Sequence, residues 1–137
     1  SVVPKFAPMP GALECIAQLR SMGLRLYLTS GGSSEYTATC LREAGIAGDF
    51  AAIIGPDQVA TLKNGPAFYQ RCLDIAGVEA VEACVVDDSP GPLNWALDLG
   101  CYAVGVGAAA LGLPARPRFS IANSLDDLPG AVSILRK

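Results

Sequence analysis

Residues 83–92 read ACVVDDSPGP: an apolar run, then two adjacent acids, then a serine and a proline that suit a helix start. A strand buried in a parallel sheet has this kind of apolar run, and open α/β sheets bind ligands at the carboxyl ends of their strands. Two carboxylates at such an end are poorly solvated, so Asp87 and Asp88 predict a metal ion or another bound cation. The alternative is that one acid only caps the next helix, with Ser89 as N-cap and Pro90 as the first helical residue.

The composition favours a single globular domain over residues 1–137. Hydrophobic residues make up 51% of the chain and charged residues 17%, which suffices to build a core and argues against disorder. The net charge of −3 and the lack of a basic run argue against a nucleic-acid partner. We also expect no membrane partner, because no apolar stretch approaches the roughly 20 residues that cross a bilayer and no signal peptide is recognisable.

Histidine and cysteine usage narrows the chemistry further. The chain has no histidine, which removes the commonest general base, the Ser-His and Cys-His nucleophile pairs and the commonest zinc ligand. Its five cysteines have scattered spacings without a C-x-x-C pair. We therefore expect free core thiols and a reducing, cytoplasmic location.

Helix and strand patterns alternate along the whole chain. Strands are predicted at residues 24–29, 50–54, 83–87, 101–106 and 119–122. Helices are predicted from Pro10 to before Gly23, around residues 36–44, from Pro66 to before Gly77, over residues 90–99, and after an N-capping Ser124. This alternation predicts right-handed crossovers and a Rossmann-like, three-layer α/β/α fold around a mostly parallel sheet.

Two further features follow predicted strands, and a parallel sheet would bring both to the edge that carries the two acids. Ser30 and Gly31 offer a hydroxyl and open backbone N–H groups before a helix, which suits an anion, although a plain turn would also explain them. Lys63 is the only lysine between Lys5 and Lys137. A solvated loop lysine is the alternative there. Taken together, an anion cradle, a fixed cation and a carboxylate pair are what phosphoryl transfer requires.

Three stretches, in this order, resemble motifs of the haloacid dehalogenase (HAD) superfamily of phosphatases and phosphomutases. LRLYLTSG (residues 24–31) is similar to the second motif, with Ser30 as the better match and Thr29 as a one-residue alternative. KNGPAFY (residues 63–69) is similar to the third motif, which contains a lysine. CVVDDSP (residues 84–90), followed by WALDLG, is similar to the fourth, metal-binding motif.

The resemblance implies a role for each matched residue. Ser30 and the Gly31 backbone would bind the phosphoryl group, and Lys63 would hold the nucleophile and offset phosphoryl charge. Asp88 would coordinate Mg²⁺ with assistance from Asp87, and the substrate would be a phosphorylated small molecule.

The first motif of the family, D-x-D on the central strand, is absent from this chain. Its acids are the nucleophile and the general acid/base, and Pro92 stands near the position of a later family acid. Residues 1–10 resemble the return from a cap domain. The chain therefore resembles an incomplete core, either part of a longer enzyme or a variant without hydrolytic function, and we expect it to be inactive alone with weak Mg²⁺ binding.

Without the central strand, two sheet edges would expose unpaired backbone groups. The position of the central strand would be filled in one of four ways: by direct pairing of the flanking strands, by residues 1–3, by another chain or by residues outside this sequence.

Three other interpretations of the function compete with this one. A HAD-like module retained for binding or assembly would also lack the D-x-D motif. A nucleotide-binding Rossmann-type domain is suggested by Gly105-Val106-Gly107, but Ala110 stands where its fingerprint requires glycine. A receiver-like domain is disfavoured, because its paired acids lie on the first strand.

Overall fold

The computed structural model describes residues 12–29, 39, 41–42, 45, 47–59, 63–107 and 113–135. The chain divides into two compact units, residues 1–63 and residues 64–137. Every strand pairing among the described residues is parallel, and helices alternate with the strands. The predicted α/β class with a Rossmann-like core is therefore confirmed.

The first unit contains a small parallel sheet. Its elements are helix α1 (Ala12–Ser21), strand β1 (Tyr27–Thr29), a 3-10 turn (Ala47–Asp49), strand β2 (Ala52–Ile54) and the short helix α2 (Pro56–Val59). Strand β1 pairs with β2, with Tyr27 opposite Ala52 and Thr29 opposite Ile54. Both strands are shorter than predicted, and helix α2 was not predicted. The predicted helix around residues 36–44 lies largely outside the described residues.

Helix α1 buries part of the face on which its apolar spacing places Leu13, Ile16 and Leu19. Leu19 is buried as this spacing predicts, but Leu13 is 49% exposed, and Cys15 is buried in addition. The helix ends as predicted at Gly23, whose φ of +82° is left-handed and whose N–H donates to the carbonyl of Arg20.

The second unit contains a three-stranded parallel sheet in the order β3-β4-β5. Its elements are helix α3 (Pro66–Ala76), a 3-10 turn (Ala80–Glu82), strand β3 (Cys84–Asp87), helix α4 (Pro90–Leu99), strand β4 (Tyr102–Val106), strand β5 (Phe119–Ala122), a 3-10 turn (Leu125–Asp127) and helix α5 (Leu128–Leu135). The central strand β4 is buried over residues 103–106. Helices α3 and α4 match their predicted spans.

The last helix begins differently from the prediction. Ser124 precedes the 3-10 turn rather than helix α5, and its side chain makes no capping hydrogen bond. The turn is closed instead by the backbone, where the N–H of Asp127 donates to the carbonyl of Ser124. Ser124 therefore marks the start of the 3-10 turn that leads into helix α5, and its side chain does not cap the α-helix.

Helix α4 supplies much of the core of the second unit. Leu93 and Leu97 pack with Ala103 of β4, while Ala96 packs with Leu73 of α3 and with Cys101. Its face is apolar at the i, i+3, i+4 spacing, which a helix needs to bury one side. None of the helices in the described part of the chain is long and apolar enough to cross a bilayer.

The side chain of Leu93 is fully buried, so its removal should strongly destabilise the second unit. Leu93→Ala is expected to lower the free energy of unfolding by about 2–5 kcal/mol, because a cavity adds to the lost burial. Urea unfolding followed by Trp95 fluorescence measures this. The matched control is Ile134→Ala, whose side chain is 67% exposed. Equal effects of the two substitutions would contradict the assignment of Leu93 to the core.

Candidate functional site

The two acids lie at the carboxyl end of β3, as predicted. Asp87 is the last residue of the strand and stands opposite Gly105 of β4, and helix α4 begins at Pro90. Asp87, Asp88 and Ser89 therefore form a short connection between a sheet edge and a helix. We call these three residues the acidic turn.

Asp87 organises the acidic turn. Its Oδ1 accepts hydrogen bonds from the backbone N–H of Asp88 at 2.7 Å and from that of Ser89 at 3.0 Å. Its Oδ2 accepts a longer bond of 3.5 Å from the hydroxyl of Tyr69 on helix α3. The half-buried carboxylate is thus held by at least three donors among the described residues, two of which belong to the turn itself.

Asp88 has a more open environment. It is exposed, and its Oδ1 accepts one hydrogen bond, from the hydroxyl of Ser89 at 3.2 Å. Among the described residues, no donor is bonded to its Oδ2. The Asp88 carboxylate can therefore approach an ion or a substrate, whereas the Asp87 carboxylate is already engaged.

Helix capping explains only part of this arrangement. Ser89 and Pro90 do occupy the N-cap and first helical positions, but the Ser89 side chain makes no capping bond. Proline has no N–H, so Pro90 and Pro92 reduce the number of donors that the first turn of α4 must satisfy. Asp87 binds the N–H of Ser89, so the capping interpretation accounts for one contact of Asp87 and for nothing at Asp88.

The donor set of the acidic turn suits Mg²⁺. This ion prefers carboxylate oxygens, uses one or two of them and retains several waters. In the described ranges no group of three or more His, Cys, Asp or Glu side chains is arranged to hold a metal. The turn therefore offers a partial carboxylate site rather than a full protein cage.

The two cysteines at the amino ends of β3 and β4, away from the acidic turn, are poor nucleophiles. Although Cys84 as a whole residue is exposed, desolvation of its thiol and, second, nearby Cys101 together raise its pKa to about 12. Burial also raises the pKa of Cys101, against a smaller opposing effect of Arg118. Because the thiolate is the reactive form, neither cysteine is poised for nucleophilic attack at neutral pH.

The other predicted site residues are placed as follows. Lys63 is half-buried and precedes helix α3 by three positions, but it belongs to the first unit. Ser30 and Gly31 lie outside the described residues, directly after β1. The structure thus brings Asp87 and Asp88 together, and the convergence of Ser30, Lys63 and Asp88 stays a prediction.

Sequence reasoning missed one residue of the site. The apolar spacing of helix α3 places Tyr69 on one stripe with Phe68, Cys72 and Leu73, which predicts a core role, and its ring is indeed buried. A tyrosine within such a stripe carries a polar tip that needs a partner, which was the available signal. Its partner, Asp87, lies 18 positions further along the chain.

Comparison with known proteins identifies relatives of this chain. The family model of haloacid dehalogenase-like hydrolases matches residues 3–91. A phosphoglycolate phosphatase from Neisseria gonorrhoeae is 28% identical over 99 residues, which cover 72% of this chain and 42% of that protein. A beta-phosphoglucomutase from Bacillus subtilis is 27% identical over 109 residues, which cover 77% of this chain and 47% of that protein.

A solved structure shares the fold. The L-2-haloacid dehalogenase from Xanthobacter autotrophicus with covalently bound chloropropionic acid has a TM-score of 0.77 and 23% identity, over 93% of this chain and 61% of that chain. The chain thus spans less than half the length of the two curated relatives.

Proposed function

Because this chain belongs to the haloacid dehalogenase-like hydrolases, we propose that it forms part of a Mg²⁺-dependent phosphatase or phosphomutase for phosphorylated small molecules. The observation that carries the proposal is the exposed Asp88 carboxylate at the carboxyl end of β3, beside an Asp87 that is held in place. The named functions of the phosphatase and mutase relatives support the phosphoryl-transfer chemistry.

The proposed roles follow from the chemistry of each side chain. Asp88 holds Mg²⁺ and Asp87 assists, mainly by fixing the backbone from which Asp88 projects. The bound ion supplies positive charge for phosphoryl oxygens. Ser30 and the Gly31 backbone donate hydrogen bonds to the phosphoryl group, and the Lys63 ammonium offsets its remaining charge.

The nucleophile of the proposed reaction comes from outside this sequence. No Asp-x-Asp occurs in the chain, which matches only 42% of the phosphoglycolate phosphatase from Neisseria gonorrhoeae. We therefore propose that the two units belong to one incomplete HAD-like core and that the isolated chain does not hydrolyse phosphate esters. The free state of every described cysteine supports a reducing, cytoplasmic location.

The strand edges support a missing structural element as well. Among the described residues, β1 pairs only with β2, and β3 pairs only with β4. Val86 of β3 is 40% exposed although it belongs to an apolar run. Unpaired strand edges favour addition of another strand, from residues 1–3, from another chain or from a preceding segment.

A second candidate is a HAD-like module retained for binding or assembly. The absence of Asp-x-Asp is the observation that favours it. The two proposals differ in the activity that they predict for the longer protein. The binding module has no phosphatase activity even when any natural preceding sequence is present.

The isolated chain is expected to show no turnover of p-nitrophenyl phosphate with Mg²⁺, since its nucleophile is missing. A colorimetric assay of the purified chain measures this directly. The proposed inactivity would be contradicted if the chain shows turnover, if Asp88→Ala abolishes that turnover and if Asp126→Ala preserves it. Asp126 is a matched control because it is exposed and lies in another turn.

The chain together with its natural upstream coding sequence is expected to hydrolyse phosphomonoesters if that sequence brings an Asp-x-Asp motif. Phosphate release from a panel of phosphorylated sugars and acids measures this, with chloride release from 2-chloropropionate as the opposing arm. Chloride release without phosphate release would favour a dehalogenase. An upstream sequence without the motif, and no activity, would favour the binding module.

Mg²⁺ is expected to bind the chain weakly and through Asp88. Asp88→Asn should raise the dissociation constant about tenfold or more, because a neutral amide replaces the exposed carboxylate. The fluorescence of Trp95, the single tryptophan, measures binding from helix α4. Asp126→Asn is the control, and an equal dissociation constant for Asp88→Asn and the unchanged protein would rule out Asp88 as the ligand.

A further inference from the structure

We propose that Tyr69 is a positioning residue for the acidic turn: its hydroxyl orients Asp87, and Asp87 in turn sets the backbone that carries Asp88. The inference rests on the proposed function, since it matters only if Asp88 binds a cation. It connects Tyr69, the last residue of the stretch that resembles the lysine-containing motif, with the acidic turn.

The ring of Tyr69 is held from several sides. Its side chain is 3% exposed, and it packs edge to face on fully buried Phe68, with ring centroids 5.6 Å apart and planes at 76°. On another side it meets Trp95 of helix α4, with centroids 6.4 Å apart and planes at 51°. Because two aromatic neighbours restrict the ring, its hydroxyl has one defined position.

In that position the Tyr69 hydroxyl donates to the Oδ2 atom of Asp87. The 3.5 Å bond spans two elements, because Tyr69 lies on helix α3 and Asp87 ends strand β3. The bond is long, so its strength alone is modest. Its value lies in fixing which way the carboxylate faces, because a hydroxyl on Oδ2 leaves Oδ1 directed at the turn.

The orientation of Asp87 controls the backbone of the acidic turn. Oδ1 holds the N–H groups of both Asp88 and Ser89, so a rotation of the carboxylate releases two backbone hydrogen bonds together. The side chain of Asp88 would then start from a less defined backbone. Tyr69 therefore acts on Asp88 through two successive contacts without touching a ligand.

Helix α4 is linked to the same arrangement through Trp95. A Cβ atom built on Gly91, in the first turn of the helix, would lie 3.6 Å from the indole ring. The indole thus covers the start of α4 on one side and meets Tyr69 on the other. This position makes Trp95 a reporter of events at the acidic turn.

Tyr69→Phe is the decisive substitution, because it keeps the buried ring and removes only the hydroxyl. Tyr102→Phe is the matched control: Tyr102 begins β4 opposite Cys84, at the end of the sheet away from Asp87. Both variants are compared with the unchanged chain for Mg²⁺ affinity, by Trp95 fluorescence, and for the backbone amide signals of Asp88 and Ser89, by NMR.

Tyr69→Phe is expected to raise the Mg²⁺ dissociation constant by up to about tenfold, the lower end of what loss of a direct partner of a metal ligand costs, because Tyr69 acts on Asp88 only through Asp87. It should also shift the amide signals of Asp88 and Ser89 while leaving those of β4 in place. Tyr102→Phe should change neither. Altered thermal stability without a change in the affinity or in these two signals would reduce Tyr69 to a packing role and overturn the inference.

The outcomes separate this inference from the proposed function. If the unchanged chain binds Mg²⁺ and Tyr69→Phe binds it equally well, the positioning role is wrong and the proposed metal site stands. If the unchanged chain shows no saturable Mg²⁺ binding, the proposed metal site fails, and the positioning role fails with it.

Discussion

The connection between β3 and α4 depends on one carboxylate that satisfies the backbone around it. Asp87 accepts the N–H groups of the two residues that follow it, at the point where strand hydrogen bonding has ended and helical bonding has not begun. Backbone donors in such a gap would otherwise need water or another partner. The acidic turn therefore keeps a defined shape, and Asp88 projects from a defined backbone.

The different contacts of Asp87 and Asp88 give a reason for two acids in succession. One carboxylate cannot both saturate its oxygens with protein donors and remain accessible to a cation. Among the described residues, Asp87 accepts hydrogen bonds from at least three donors, and exposed Asp88 accepts one from the Ser89 hydroxyl. Capping alone would need one acid, and the prolines of α4 reduce even that need. We therefore propose one structural carboxylate, Asp87, and one that meets a ligand, Asp88.

The strands lead to a related conclusion at a larger scale. Parallel sheets are usually covered on both faces and paired on both sides of their inner strands. In the second unit β4 has that environment, since residues 103–106 are buried and it pairs with β3 and β5. Strand β3 does not, because Cys84 and Val86 are exposed and β4 is its single partner among the described residues. An apolar strand at an open edge is the physical basis for proposing that further chain completes this sheet.

Local patterns in the sequence determined which elements form and what lies at their ends. Proline and glycine marked the bounds of α3 and α4 because these residues act on the backbone itself, and the apolar run before Asp87 identified β3 for the same local reason. The family resemblance rested on the same short stretches, and the match of residues 3–91 confirmed it.

Only the tertiary structure decided which acid is held and which is open. Asp87 is held by two N–H groups of its own turn and by the hydroxyl of Tyr69, 18 positions away, whose ring meets Trp95 of helix α4. The same limit explains α1, where the apolar spacing placed Leu13 on the inner face, but Leu13 is exposed and Cys15 is buried. Periodicity reports that a helix has an apolar side, but contacts between distant segments decide which part of that side is covered.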